Sequence, residues 1–309
     1  MGKQQGPSAE HQRALLESFE QLLARDQDNA AAGIYPWSLL FQIPFGTYAK
    51  ALPRLARDIP NVVRRMSRDD WKDLPGDVDL DAYPPYYRRT FHWQSDGYLS
   101  RRSAELYDVG VELLFGGTAD VMRRQVLPPI VRHARRCGRP LRVLEVACGT
   151  GRMGAQLRRA LPRAHYTGID LSPYYIEVAG ERLGDSPQVE LHQVNAEELP
   201  FADASFDAVF SVYLFHELPR NARRRVWAQM RRVLRPGGCL VIEDSLQPKD
   251  AGSLGVFLDR FPDDMHEPFY RDYLRDDLAE GLAEMGLQIE ATERAFLSKV
   301  VTAHRPQTA

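Results

Sequence analysis

The sequence predicts an α/β fold: a seven-stranded, doubly wound, mainly parallel sheet, closed by an antiparallel terminal hairpin and preceded by a helical N-terminal extension. Three observations carry that expectation. From Leu141 on, short β-branched runs alternate with helical stretches, the pattern of βαβ units around a parallel sheet. The turn Gly149-Thr150-Gly151-Arg152-Met153-Gly154 follows the first of those runs and opens a helix. The last two runs, Leu287–Glu293 and Phe296–Ala303, lie too close together for a right-handed crossover and should pair as a hairpin.

Within the extension, Leu15, Leu16, Phe19, Leu22 and Leu23 fall at helical spacing and predict one amphipathic helix inside residues 1–30. Residues 31–100 are dense in aromatics and proline, from Tyr35-Pro36-Trp37 to Tyr83-Pro84-Pro85-Tyr86-Tyr87 and Phe91-His92-Trp93. Proline lacks an amide donor and clashes with the preceding helical turn, so only short helical pieces are expected there. Residues 101–137 read as helical and should stop at Cys137-Gly138-Arg139-Pro140. The earlier strands are expected at Arg142–Ala147, His165–Asp170, Val189–Gln193, Phe206–Val212 and Cys239–Asp244. Helices are expected around Thr150–Ala160, Pro173–Leu183, Asn221–Leu234 and roughly Arg271–Met285. The division is 1–100 for the extension or lid and 101–309 for the larger domain, with the sheet core starting near residue 141.

A formal net charge of −2 gives no global attraction to nucleic acid or anionic membrane. Three cysteines without CxxC or Cys/His spacing speak against a disulfide framework or a zinc site and fit a reducing cytoplasm. No run of about eighteen apolar residues occurs, and the N-terminus MGKQQGPSAEHQR lacks an apolar signal core. The expected partner is a small molecule, not nucleic acid and not a bilayer interior; a homo-oligomer stays open.

Taken alone, GTGRMG is a GxGxxG fingerprint, so a nicotinamide or flavin dinucleotide has to be weighed. The glycines allow close backbone approach, and the helix N-terminus offers free N–H groups to any ligand. Glu145 stands four residues before the first glycine. It is a poor neighbour for a pyrophosphate and suits a ligand carrying an ammonium group. Asp170 ends the second strand, where a carboxylate can accept hydrogen bonds from both hydroxyls of a ribose, a feature common to either cofactor.

The ordered series VLEVACGTG, GIDLS, NAEELPF, SFDAVFSVYLFHEL and LRPGGCLVIED resembles the motifs of class I S-adenosylmethionine-dependent methyltransferases, and among them the small-molecule branch with the ubiquinone/menaquinone C-methyltransferases. The resemblance covers about residues 101–309 and implies a Rossmann-like methyltransferase sheet with S-adenosyl-L-methionine as cofactor. Carried over by position, it implies that Glu145, Ala147, Gly149 and Gly151 cradle the methionine and ribose, and that Asp170 holds the ribose hydroxyls. Leu171 would flank the adenine. Asn195 and Ala196 occupy the place where the family usually has Asp-Ala at the adenine edge, and the asparagine carbonyl can still accept from the exocyclic amine. Ser211 and Tyr213 fall beside the methyl donor, and Tyr107 at a position that commonly lies over the cofactor.

Methyl transfer from a sulfonium needs mainly alignment and exclusion of water, with a base only where the acceptor must lose a proton. His216, after the fourth strand, is the candidate base or substrate contact, together with Tyr213; His92, His266, Tyr175 and Tyr270 are secondary candidates. His266-Glu267 with Asp263-Asp264 matches no familiar ligand spacing, and no metal is expected. Tyr83–Tyr98 reads as a lid over the substrate or a packing segment, and the apolar stretch Trp37–Phe45 as packing or as shelter for a lipid-like acceptor. Two alternatives stay open: another displacement on S-adenosylmethionine, such as internal cyclisation, and a cofactor-binding protein without transfer activity.

Overall fold

The computed structural model describes residues 8–41 and 45–307. Seven strands form one sheet: β1 (Arg142–Val146), β2 (His165–Asp170), β3 (Val189–Gln193), β4 (Phe206–Val212), β5 (Leu234–Ser245), β6 (Gln288–Ala295) and β7 (Ser298–His304), in the order β3-β2-β1-β4-β5-β7-β6. The first five run parallel, while β7 lies antiparallel between β5 and β6, pairing Ser298 with Ser245 and Val301 with both Ile242 and Thr292. The central strands are buried along almost their whole length, as a sheet covered on both faces requires. Each expected strand lies where the hydrophobic runs put it. β5 starts earlier, at Leu234, which pairs with Phe206; the ladder resumes at Cys239 opposite Ala208, and the residues between, with Gly237 at φ 76°, form an irregular stretch.

The helices are α1 (Ala9–Ala31), α2 (Phe45–Arg68), α3 (Arg101–Leu114), α4 (Ala119–Arg123), α5 (Leu127–Cys137), α6 (Arg152–Ala160), α7 (Pro173–Leu183), α8 (Arg220–Val233), α9 (Pro248–Ala251), α10 (Gly255–Asp264), α11 (Tyr270–Tyr273) and α12 (Leu278–Glu284). One sheet face packs against α5, α6 and α1, where Leu22, Ile130, Leu157 and Val143 share a core. The opposite face packs against α8 and α12, centred on the fully buried Trp227. α1 is fastened to the chain beyond it by Asp26, which is buried and accepts from Arg124 Nε at 3.0 Å and from the Tyr35 hydroxyl at 2.6 Å. Gly138 ends α5 in the left-handed conformation, as the Cys137-Gly138 signal predicts.

Three expectations need correction. α2 is 24 residues long although it contains Pro53 and Pro60. The two prolines sit seven residues apart on one exposed face, so the carbonyls they leave unpaired near Ala49 and Ala56 face water. The helix is secured from its other side, where buried Asp58 accepts from Ser95 Oγ and from Arg102 Nη2 at 2.8 Å. The single helix expected over Arg271–Met285 is two, because Asp277 caps a fresh start by accepting from Glu280 N at 3.0 Å. The helical segment between β5 and α11 was not anticipated. Of the stretch Trp37–Phe45, residues 42–44 lie outside the described residues, while Leu39 is buried and Phe41 exposed. Among the described residues no helix is long and apolar enough to cross a membrane.

Candidate active site

The carboxyl ends of β1, β2 and β4 open onto one cavity, as expected at the point where strand order reverses. After β1 the chain enters the left-handed region at Ala147 (φ 59°) and again at Gly149 and Gly151, which caps α6. Alanine is strained there, and such strain persists where the surroundings hold it. Asp170 supplies that hold: its carboxylate accepts from Gly149 N and from Ser172 N, both at 2.9 Å, joining the loops after β1 and β2. Burial raises its pKa to about 6. Thr150 donates to Asp108 of α3, and Arg182 of α7 bonds both, so the glycine turn is clamped from two helices.

Glu145 points into this cavity almost wholly buried, with the Tyr166 hydroxyl donating to Oε2 at 2.6 Å. Burial pushes its pKa up to about 8. A carboxylate held in this state gains from a cationic ligand far more than from a phosphate. Gly154 explains how Tyr166 reaches it. A Cβ on Gly154 would stand 2.6 Å from the Tyr166 ring, so the last glycine of GTGRMG makes room for the hydroxyl that supports Glu145.

The cavity brings together Tyr107, Glu145, Ala147, Gly149, Asp170, Leu171, Asn195, Ala196 and Tyr213. Two expected site residues lie off its wall. Gly151 faces α7, where an added Cβ would come within 3.0 Å of Ala179. Ser211 is fully buried and donates to Val146 O at 2.8 Å. Asn195 Oδ1 accepts from Glu197 N at 3.0 Å, which leaves one of its lone pairs for a ligand. Over the turn lies a cluster of tyrosines: Tyr107 and Tyr175, both singled out in the sequence, with Tyr87 and Tyr98 from the extension, which were not; Tyr98, Tyr107 and Tyr175 pack edge to face at 5.5–6.0 Å. The extension is pinned there by Ser172 donating to Tyr98 O and by Tyr86 donating to Glu197.

Tyr107 and Tyr213 also wall a second cavity of about 540 Å³, mostly apolar, enclosed by α2, α3 and α10. Leu55, Leu106, Val111 and Phe261 are among its lining, and His92, His216 and Tyr270 bring polar atoms to it. Tyr213 holds φ 53°, uncommon for an aromatic residue; its ring stacks on Phe115 and its hydroxyl meets Ser298 Oγ at 2.9 Å. His216 Nδ1 lies 2.6 Å from Asp244 Oδ1, which leaves Nε2 toward the cavity. Burial works against its protonated form, but Asp244, with help from Glu267 and Glu217, outweighs that and raises its pKa to about 9. His92 stands between Glu217 and Glu267, which overcome the opposing effect of burial and raise it to about 10. Tyr175 belongs to the first cavity, and His266 lines neither.

A seven-stranded sheet in this order, with a glycine turn after β1, an aspartate ending β2 and a reversed last strand, is the Rossmann-like methyltransferase architecture. The comparisons agree: residues 143–238 match the family model described as a methyltransferase domain. A demethylmenaquinone methyltransferase from Thermotoga maritima is 37% identical over 147 residues, covering 48% of this chain and 60% of that protein. A phthiotriol/phenolphthiotriol dimycocerosates methyltransferase from Mycobacterium leprae is 42% identical over 109 residues, covering 35% of this chain and 39% of that protein. In fold, the chain is similar to an O-methyltransferase family protein from Burkholderia thailandensis, with a TM-score of 0.51 and 19% identity over 67% of this chain and 61% of that one. The match to the two curated relatives spans between two fifths and three fifths of their length.

Proposed function

We propose that this protein methylates an apolar small molecule, with S-adenosylmethionine as donor. The observation that carries the reading is the shared wall: Tyr107 and Tyr213 line both the polar cavity at the glycine turn and the apolar chamber beside it. The residues fit the cofactor. Glu145 offers a buried carboxylate to an ammonium group, Asp170 its oxygens to ribose hydroxyls, and Leu171, Asn195 and Ala196 an adenine edge. When bound, S-adenosylmethionine supplies a methyl on a cationic sulfur; the C–S bond breaks as an electron pair of the acceptor forms the new bond, and S-adenosylhomocysteine remains.

The chain's own part is placement and drying. The tyrosine cluster keeps water from the turn, and the chamber of α2, α3 and α10 takes the apolar body of the acceptor. His216 through Nε2 and the Tyr213 ring face the acceptor where it meets the donor. At about 130 Å³ the cavity at the turn is smaller than a usual small-molecule site of roughly 300–1,000 Å³, so the Tyr86–Tyr98 segment shifts to admit the cofactor and then covers it.

The test is incubation with methyl-labelled cofactor and apolar acceptors, beginning with demethylmenaquinone and phthiotriol dimycocerosates, the molecules for which the two relatives are named. Labelled acceptor and S-adenosylhomocysteine in equal amounts is the expected result. Accumulation of methylthioadenosine, or tight NADH binding in place of S-adenosylhomocysteine, would overturn it.

A further inference from the structure

Among the described residues, a group of ligating side chains outside the glycine turn stands where the two cavities meet. His92 and His216 line the apolar chamber, Glu217 lines the cavity at the turn, and one ligand atom from each lies within 4.8 Å of the other two. His92 Nε2 is 3.4 Å from Glu217 Oε1. Around a tetrahedral ion with bonds of about 2.1 Å, neighbouring donors stand roughly 3.4 Å apart, so the His92–Glu217 pair already has that spacing, and the His216 donor closes in from within 4.8 Å.

The surroundings match as well. Each histidine has its other nitrogen against a buried carboxylate: His216 Nδ1 at 2.6 Å from Asp244, and His92 Nδ1 at 2.9 Å from Glu267 Oε1. Outer carboxylates of this kind fix the ring orientation of metal-bound histidines and make them better ligands. The Glu267 side chain is fully buried, yet neither of its oxygens completes a well-directed hydrogen bond, and His92 holds a left-handed backbone at φ 50°. A buried ion pair whose hydrogen bond is poorly directed calls for an explanation, and strain at a non-glycine residue points the same way. An ion-pair network alone accounts for Asp244, which also accepts from Phe215 N at 2.7 Å. Beside it, two imidazoles stand at a ring separation of 6.4 Å with the Glu217 carboxylate in reach of both.

We propose that His92, His216 and Glu217 bind one divalent transition-metal ion, with Asp244 and Glu267 as outer carboxylates, and that the ion presents open positions to an oxygen of the acceptor. Two imidazoles and a carboxylate suit zinc or iron(II) better than magnesium or calcium, which take mainly oxygen ligands. The acceptor's role rests on the methyl-transfer reading; the ion site does not.

The experiment uses the full chain, stripped with a chelator and titrated with Co²⁺ as an optical probe. One equivalent per chain is expected, with visible d–d bands that zinc displaces. His92→Ala and His216→Ala should each weaken Co²⁺ binding at least tenfold. Glu267→Gln, which touches the ion only through His92, should weaken it by about 10- to 100-fold. S-adenosylhomocysteine calorimetry on the same variants reports whether the fold persists, and the milder His92→Gln and Glu267→Gln carry the test if an alanine variant fails to fold. Absence of Co²⁺ binding by the wild type overturns the proposal. So does binding that survives in the folded His92 and His216 variants, or that disappears in Cys137→Ser, whose sulfur lies 3.5 Å from His133 on the surface of α5. Co²⁺ binding without S-adenosylhomocysteine binding would leave the ion site standing and remove the methyl-transfer reading.

Discussion

The two cavities are built in opposite ways. The one at the glycine turn is made by strand ends, and its polar groups are held by backbone: Asp170 by two amides, Gly149 by Asp170, and Ala147 by a constrained turn. The chamber beside it is made by side chains of α2, α3 and α10, long helical additions whose apolar faces leave a space of about 540 Å³. A site set by backbone tolerates little change in shape. A site set by helix faces can be resized one residue at a time. In the reading proposed here, the first fixes the donor and the second selects the acceptor.

The largest effect that could break this division comes from Asp170→Ala. Removing a charged acceptor costs about 1.5–3 kcal/mol per hydrogen bond, so S-adenosylhomocysteine affinity should fall by roughly 100-fold or more in calorimetry. The apolar chamber should keep its capacity for a hydrophobic dye. Loss of dye binding together with cofactor binding would show that the cavities do not act separately. Next in size is Gly110→Phe on α3. An added Cβ at Gly110 meets nothing within 4 Å, and Gly110 is part of the chamber wall. KM for the acceptor should rise at least tenfold, while Kd for S-adenosylhomocysteine stays within about twofold, because only packing in the chamber changes.

The same contrast decides what could be seen in the sequence. The sheet, its terminal hairpin and most of the residues expected at the cofactor are local: strand, turn and helix follow one another within a few tens of residues, and the chemistry of Glu145 and Asp170 depends on where their strands end. The chamber is not local. His92 and His216 meet across 124 residues; the sequence offers His92 as a secondary candidate inside a segment read as lid or packing, but nothing local says which groups it faces. Glu217 was legible only as the neighbour of His216. α2 was concealed by its prolines, whose cost is small because they lie on the exposed face. Ser211 and Gly151 were drawn into the site by motif position, although one side chain turns to Val146 O and the other position faces α7.

A smaller effect sharpens the polar side. The Glu145 pKa is raised from 4.5 to about 8 by burial. A carboxyl raised on folding contributes stability that is fully present below its unfolded pKa and is lost as pH rises through the folded one. In the protein without cofactor, Glu145→Gln should therefore be more stable than wild type above about pH 8, by about 2–4 °C in Tm per kcal/mol removed, and the difference should shrink toward pH 5. Cofactor affinity should move the other way: the ionised carboxylate is the binding form, so wild-type Kd tightens as pH rises toward 8, and the variant stays flat across that interval. A wild type that binds equally well at pH 6 and pH 8 would remove Glu145 from the ammonium contact.

The smallest effects, a pair of glycine-to-alanine changes, distinguish the two cavities by sign. Gly154 opens α6 with the Tyr166 ring against it, and an added Cβ would stand 2.6 Å from that ring. Either Tyr166 moves and Glu145 loses its donor, or the helix shifts, so Gly154→Ala should cost about 1–3 kcal/mol in denaturant unfolding and weaken cofactor binding as well. Gly110 lies inside α3 with ordinary helical geometry and open space beside it. There alanine removes the entropic penalty of glycine without a clash, so Gly110→Ala should gain about 0.5–1 kcal/mol and leave the cofactor Kd unchanged. Destabilisation by Gly110→Ala would mean that α3 is in closer contact on the chamber side than its open face implies. The acceptor site would then be as tightly fixed as the donor site, and the contrast between the cavities would fail at the position where it is easiest to measure.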